Sequence, residues 1–172
     1  MTLFDQFSSV LKQYSGGSTP DPDKVSEHFD QVAQTAPQAD IAEGLSSAFR
    51  SDQTPAFGHF IGKLFSQSNG EQKAGLLNHF IGSLGPSALS QIAGGGALAS
   101  LLGGSRTITP EQAQNVSPEL VQQMATHAEK ADPSIVDRAS AFYAQHPTLV
   151  KTLGAAALSI AMSKMAQRQR VA

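Results

Sequence analysis

The tetrapeptide His-Phe-Ile-Gly occurs twice in this chain of 172 residues, within "GHFIGKLF" (58–65) and within "NHFIGSLG" (78–85). In both copies the apolar residues recur every three or four positions, which predicts an amphipathic helix. His59 and His79 fall opposite the apolar stripe, so packing explains the repeat better than a shared metal ion does. We expect a helical hairpin over residues 54–84, and its structural anchors are Phe57, Phe60, Ile61, Phe80 and Ile81.

Each copy also carries a glycine on the flank of its apolar stripe. Gly62 and Gly82 occupy this position, where the absence of a side chain would let another helix approach closely. The segment "SQSNGEQ" between the copies has the composition of a turn. Its Ser68 and Glu71 have the spacing of a capping box at the start of the second arm.

Proline divides the rest of the chain into helices. Proline is favoured at the first helical position after a capping Ser, Thr or Asp, and such dipeptides end at Pro22, Pro55, Pro110, Pro118 and Pro133. The intervals between them show helical apolar spacing, and we find no convincing strand alternation. The predicted fold is all-α, a compact bundle of roughly eight to ten short helices. We expect lobes at 1–104 and 105–172, or one continuous domain.

Composition narrows the possible functions. Charged residues make up 15% of the chain, the formal net charge is −2, and cysteine is absent. A chain without cysteine has no disulfide, thiolate nucleophile or thiolate metal site. A net negative charge argues against nucleic-acid binding, which usually requires a basic face. Few charges leave neutral surface available for association.

The charges are unevenly distributed along the chain. Residues 1–43 carry seven acidic side chains and two basic ones, whereas the four charged side chains after Arg138 are all basic. The acidic N-terminal part and the basic C-terminal part could attract each other within one molecule or between molecules. The simpler interpretation is two separate solvated faces.

An uncharged stretch covers the thirty-two residues from Ala74 to Ser105. It includes the second hairpin arm and the glycine-rich segment "GGGALASLLGG" (94–104), which follows no strand and lacks the Lys-Ser/Thr of a phosphate-binding loop. The stretch is either the buried centre of the fold or a surface for self-association, for an apolar ligand or for a bilayer. Its candidate interface residues are Leu98, Leu101 and Leu102.

The last helix is predicted to run from Pro147 to about Gln169. It is apolar on both sides, a pattern typical of buried helices. Burial within the monomer is favoured over an oligomer interface, and the interface over lipid. If it is an interface, the candidate residues are Leu158, Met162 and Met165.

No pattern points to catalysis. The histidines do not form HExxH, and GxSxG, Walker A and SxxK motifs are missing. We therefore predict no catalytic residues, no cofactor and no metal. The start "MTLFDQF" lacks the features of a secretory signal, and no run reaches the ~20 apolar residues of a spanning helix. Together these features predict a cytoplasmic protein.

The segments "MTLFDQFSSVLKQ", "ALASLLGG" and "ITPEQAQNVSPELVQQMATHAEKADPSIVD" resemble the YidB-like group of small bacterial proteins of unknown function. The resemblance covers residues 70–140 and the first dozen residues. It implies an all-helical, cytosolic bacterial protein and transfers no catalytic residue. The acidic 20–50 segment and the basic C-terminal helix lie outside it.

From these features we predict a non-enzymatic association module. It would self-assemble or bind a protein partner through its apolar C-terminal half, with a homo-oligomer as the expected state. The alternative is a lipid or membrane-surface binder that uses the uncharged stretch and the basic tail. A liposome assay separates the two classes, since only the alternative predicts binding that depends on anionic lipid.

Overall fold

The computed structural model describes residues 2–15, 21–91, 100 and 102–171. Within these residues the fold is all-α, with ten α-helices and no β-strand, as the sequence predicts. The helices are α1 (Leu3–Ser15), α2 (Pro22–Thr35), α3 (Gln38–Arg50), α4 (Phe57–Gln67), α5 (Gly70–Gln91), α6 (Pro110–Ala113), α7 (Pro118–Ala131), α8 (Ile135–Ala144), α9 (Pro147–Val150) and α10 (Ala155–Val171). A 3₁₀ turn, Lys151–Leu153, separates α9 from α10.

Several helices begin at the predicted capping dipeptides. The side chain of Asp21 accepts a hydrogen bond from the Asp23 amide, and Pro22 is the first residue of α2. Thr109 forms a capping box with Gln112 at the start of α6. Ser117 accepts from the Leu120 amide at the start of α7. These side chains satisfy amide groups that the first helical turn leaves without partners.

Three predicted starts are wrong by a residue or more: α8 begins at Ile135 rather than at Pro133, and the other two involve a hydroxyl group. Thr54 does not begin α4; its hydroxyl donates to the carbonyl of Ala48 at 2.7 Å and so caps the end of α3 instead. The capping box before α5 is formed by Asn69 and Gln72, not by Ser68, whose hydroxyl donates to the Leu64 carbonyl at 2.7 Å. In both places a hydroxyl satisfies the carbonyl end of the preceding helix.

The chain divides into two compact units, and the division differs from the predicted boundary at 104/105. Unit 1 comprises Met1–Pro55 and Ser140–Ala172, and unit 2 comprises Ala56–Ala139. In unit 1, α10 packs against α1, α2 and α3; in unit 2, α4 and α5 both pack against α7. The difference arises because the two ends of the chain pack together, and a local sequence pattern does not report such a pairing.

The predicted continuous last helix is wrong, because it is broken at Gly154. This residue has φ 97° and ψ 166°, a conformation that only glycine adopts readily. Residues 147–153 and 155–168 are bent by 119° at this point. A similar break lies inside α5, where Gly85 has φ 74° and ψ 166°.

The two His-Phe-Ile-Gly copies lie in α4 and α5, which are joined by Ser68 and Asn69. The rings of Phe57 and Phe80 meet edge to face, with their centroids 6.5 Å apart. The histidines of both copies are exposed, as the helical wheel predicts. The structure buries all of the predicted anchors, Phe57, Phe60, Ile61, Phe80 and Ile81.

Candidate association surfaces

Helix α10 is buried within its own unit. Leu158, Met162 and Met165 are each no more than 1% exposed. Assigning them to an exposed interface is therefore incorrect for this conformation, because the chain's own α1, α2 and α3 already surround α10. Burial within the monomer, the favoured alternative, describes these three side chains.

Helices α3 and α10 approach each other closely in unit 1. A Cβ atom added to Gly44 would lie 2.8 Å from the carbonyl oxygen of Ala161, a backbone atom that cannot move without shifting the helix. Ala157 and Ala161 are also buried. Small residues thus let the two helix backbones approach to a distance that larger side chains would prevent.

The acidic N-terminal part and the basic C-terminal part are joined by ion pairs within one chain. Lys151 pairs with Asp30 at 2.8 Å, and Lys164 pairs with Glu43 at 3.8 Å. Arg168 pairs with Asp40 at 3.4 Å and also with Glu43. The side chains are 22–45% exposed, so each pair stabilises the fold modestly. The pairs of Lys164 and Arg168 also help to set how α10 sits on α3, whereas the pair of Lys151 joins the 3₁₀ turn to α2.

Polar contacts with α1 add to this packing. The Ser163 hydroxyl donates to the Tyr14 carbonyl oxygen at 2.8 Å. The Tyr14 hydroxyl lies 2.9 Å from Nδ1 of His28 in α2, and the two rings meet edge to face. Burial raises the pKa of Tyr14, since the phenolate would lose its hydration.

Unit 2 contains a second close crossing, between α4 and α7. A Cβ atom on Gly58 would lie 2.5 Å from Oγ1 of Thr126, and one on Gly62 would lie 2.4 Å from Cγ of Gln122. Gly62 therefore has the role that the sequence predicts for it. Gly58, four residues earlier on the same face, was not recognised.

The second copy of the repeat uses the equivalent face differently. The prediction that a helix packs closely at Gly82 is wrong, because Gly82 is exposed and a Cβ atom there would meet nothing within 4 Å. Asn78 replaces Gly58, and its amide binds the Ile108 backbone: Ile108 N–H donates to Oδ1 at 2.8 Å, and Nδ2 donates to the Ile108 carbonyl at 3.3 Å. These two hydrogen bonds join α5 to the residue that precedes the N-cap of α6.

The uncharged stretch has a buried side and an exposed side. Its large apolar side chains in α5, such as Leu77 and Phe80, lie in the core. Its exposed residues among those described are neutral and mostly small: His79, Gly82, Ser87, Gln91, Ser100, Gly103, Gly104 and Ser105. Of the candidate interface residues, Leu102 is half-buried, and Leu98 and Leu101 lie outside the described residues.

The charged side chain of Arg138 contacts α5 at Ser83. Arg138 donates from Nη1 to the Ser83 hydroxyl at 3.1 Å, and its Nη2 lies 3.8 Å from Asp132. Its guanidinium is thus already held by partners of unit 2.

A further repeat was missed in the sequence and marks both glycine breaks. The pattern [Ser/Thr]-Leu-Gly-x-x-Ala-Leu-Ser occurs at 83–90 and at 152–159. Its glycine is Gly85 in one copy and Gly154 in the other, and both have ψ 166°. Comparing the two octapeptides would have indicated that the last helix is interrupted.

The described residues contain neither a cluster of metal ligands nor a single helix that could span a membrane. They contain no group of three or more His, Asp or Glu side chains positioned to hold a metal ion. None of their helices is by itself long and apolar enough to cross a membrane; residues 147–153 and 155–168 satisfy those criteria only together, as a bent pair.

Comparisons with known proteins give no match: no family model, no curated protein and no solved structure is significantly similar to the chain. The YidB-like resemblance therefore stays a prediction from the sequence.

Proposed function

We propose that this protein is a non-enzymatic association module that assembles with further copies of itself through the exposed side of the uncharged stretch, residues 74–105. The observation that carries the proposal is the open face around Gly82 on α5. Its first-copy equivalent, Gly62, is covered by α7 at close range. The exposed face around Gly82 has space for a helix from another molecule, with Asn78 in the place that Gly58 has in α4.

The charge pattern supports a second copy as the partner. No Asp, Glu, Lys or Arg lies between Ala74 and Ser105, so covering this surface buries none of these charges from the stretch itself. In a two-fold dimer the same patch meets itself, and two neutral patches meet without an unpaired charge. Asn78 and Ile108 are already joined by their hydrogen bonds, so assembly requires no further ordering of these two residues.

Protein association is favoured over the lipid-binding alternative by the ion pairs of unit 1. Of the four basic residues after Arg138, Lys151, Lys164 and Arg168 already pair with Asp30, Asp40 or Glu43. Their attraction to an anionic bilayer would be reduced by these partners. Leu158, Met162 and Met165 are also directed into the protein rather than outward.

The experiment places a charge at the centre of the neutral face. Gly82→Glu is sterically accommodated, because the added side chain begins in open space. We expect it to lower the mass-average molecular weight of concentrated samples by opposing carboxylates across the interface. His59→Glu, at the exposed equivalent of His79 in α4, is the matched control and should leave assembly unchanged.

A vesicle assay distinguishes the alternative function, binding to a membrane surface, from protein association. Wild-type protein is mixed with vesicles of neutral lipid and with vesicles containing an anionic lipid, and sedimented. Association through the neutral face predicts that the protein stays in the supernatant of both. Sedimentation that requires the anionic lipid would favour membrane-surface binding instead.

A further inference from the structure

Helix α10 is attached to the rest of unit 1 through a single glycine hinge. Gly154 is exposed, has φ 97°, and a Cβ atom there would meet nothing within 4 Å. The bend depends on this backbone conformation, which other residues adopt only with strain. The space beside Gly154 itself is open, whereas Leu153 and Ala157 on either side of it are buried.

The sequence on both sides of the hinge also suits a straight helix. No proline follows Pro147, and the residues from Pro147 onward carry the apolar spacing of one continuous helix. If Gly154 adopted helical dihedral angles, α9, the 3₁₀ turn and α10 would form one rod. The rod would carry α10 away from the surface of α1, α2 and α3 that now covers it, here called the cradle.

The cradle recognises α10 through specific contacts rather than through apolar burial alone. Ser163 donates to the Tyr14 carbonyl, Ala161 crosses Gly44, and Arg168 pairs with both Asp40 and Glu43. A second copy of the chain offers the same contacts, in the same arrangement. It is therefore the partner that best complements a released α10.

We propose that two copies of this chain exchange α10, with Gly154 as the hinge, to form a domain-swapped dimer. Each α10 then occupies the partner's cradle and recovers the contacts that it makes in the monomer. Exchange of an identical element needs no new interface, and hinge changes commonly control it. This inference is independent of the proposed function, since it uses α10 and the cradle and not residues 74–105.

The first test substitutes the hinge. Gly154→Ala strains the bent monomer and favours the straight helix. Because both hinges of the swapped dimer are then free of this strain, the dimer-to-monomer ratio should rise at least about tenfold. Ser66→Ala, at an exposed helical position of α4 outside both the hinge and residues 74–105, is the control and should leave the ratio unchanged. A Gly154→Ala protein that stays folded and monomeric at every concentration would overturn the proposal.

The second test keeps the natural hinge and gives an answer even if Gly154→Ala fails to fold. One variant carries Asp40→Lys with Glu43→Lys, and the other carries Lys164→Glu with Arg168→Glu. Each alone places like charges between α10 and its own cradle. In a swapped dimer of one copy of each variant, both interfaces again join opposite charges.

Both variants also carry Gly82→Glu, which opposes association through residues 74–105. They are mixed, opened with mild denaturant, returned to native buffer and separated by size, with one variant carrying an affinity tag. We expect mixed dimers at a mass of twice 18.0 kDa, and none when Asp23→Lys with Glu27→Lys on α2 replaces the cradle variant. A mixture that yields only separate chains, although both variants are folded, would overturn the proposal.

Discussion

Gly44 of α3 and Ala161 of α10 cross so closely that a Cβ atom on Gly44 would lie 2.8 Å from the Ala161 carbonyl oxygen. The two residues are 117 positions apart in the chain, and their contact joins the two ends of the sequence into one unit. Around it lie the buried side chains of Leu158 and Met162 and the ion pairs of Asp40 and Glu43 with Arg168.

Alanine substitutions at Gly44, which lies in this crossing, and at Gly82, which lies in open space, should have opposite effects on stability. Gly44→Ala should destabilise unit 1 by about 1–3 kcal/mol, because the new methyl group meets a backbone atom. Gly82→Ala should stabilise the protein by up to about 1 kcal/mol, since alanine has the higher helix propensity and the site is open. Urea unfolding of both variants measures the difference. Equal effects would contradict the assigned crossing.

The repeated Phe residues should behave as core anchors. Phe60→Ala and Phe80→Ala should each lower the free energy of unfolding by roughly 3–5 kcal/mol, since both side chains are at most 3% exposed. His59→Ala, next to Phe60 on the exposed side, is the control and should change stability by less than about 0.5 kcal/mol. A large loss from His59→Ala would argue against the observed orientation of α4.

Tyr14 should make the protein sensitive to alkaline pH. Its folded pKa is raised by burial, so the unfolded chain loses the phenolic proton first, above its usual pKa of about 10. Stability is then fully present below that pH and is lost as the pH rises towards the folded pKa. Tyr14→Phe should remove this dependence, although at neutral pH it costs about 1 kcal/mol for the lost hydrogen bond to His28.

Absorbance of tyrosinate during an alkaline titration provides the direct measurement. The signal that remains in the Tyr14→Phe variant belongs to Tyr143, the second tyrosine of the chain. Titration of Tyr14 at the pKa of a free tyrosine would contradict its burial against α2 and α10.

The ion pairs between α3 and α10 should contribute modestly and depend on salt. Glu43→Gln removes the partner of Lys164 and one partner of Arg168, and should cost about 1 kcal/mol or less at low ionic strength. The loss should largely disappear in about 1 M salt, where charges on the surface are screened. Glu27→Gln, at an exposed position of α2, is the control. A loss that persists in high salt would indicate a packing defect.

The sequence was informative where one local pattern determines the structure. The 3.6-residue period placed Phe60 and Phe80 in the core and their neighbouring histidines outside, because the helix itself sets these directions. Asp21 and Thr109 were found as caps for the same reason: the bonding groups lie within three residues of each other.

The sequence was uninformative where the structure depends on distant residues. Asn78 and Ile108 are thirty positions apart, and no local sequence pattern around either residue predicts that the two bind each other. Gly154 did not interrupt the apolar period, so the period alone predicted a continuous helix. Thr54 shows a third limit, since a Thr-Pro dipeptide can cap the helix before it as well as start the one after it.

The most direct test of self-association is the absolute mass of the wild-type protein and of Gly82→Glu, measured by light scattering on a sizing column across protein concentrations. The proposed function predicts that the wild-type mass rises above 18.0 kDa with concentration, and that Gly82→Glu shifts this rise to higher concentration while His59→Glu does not. A mass of 18.0 kDa at every concentration for all three proteins would contradict it.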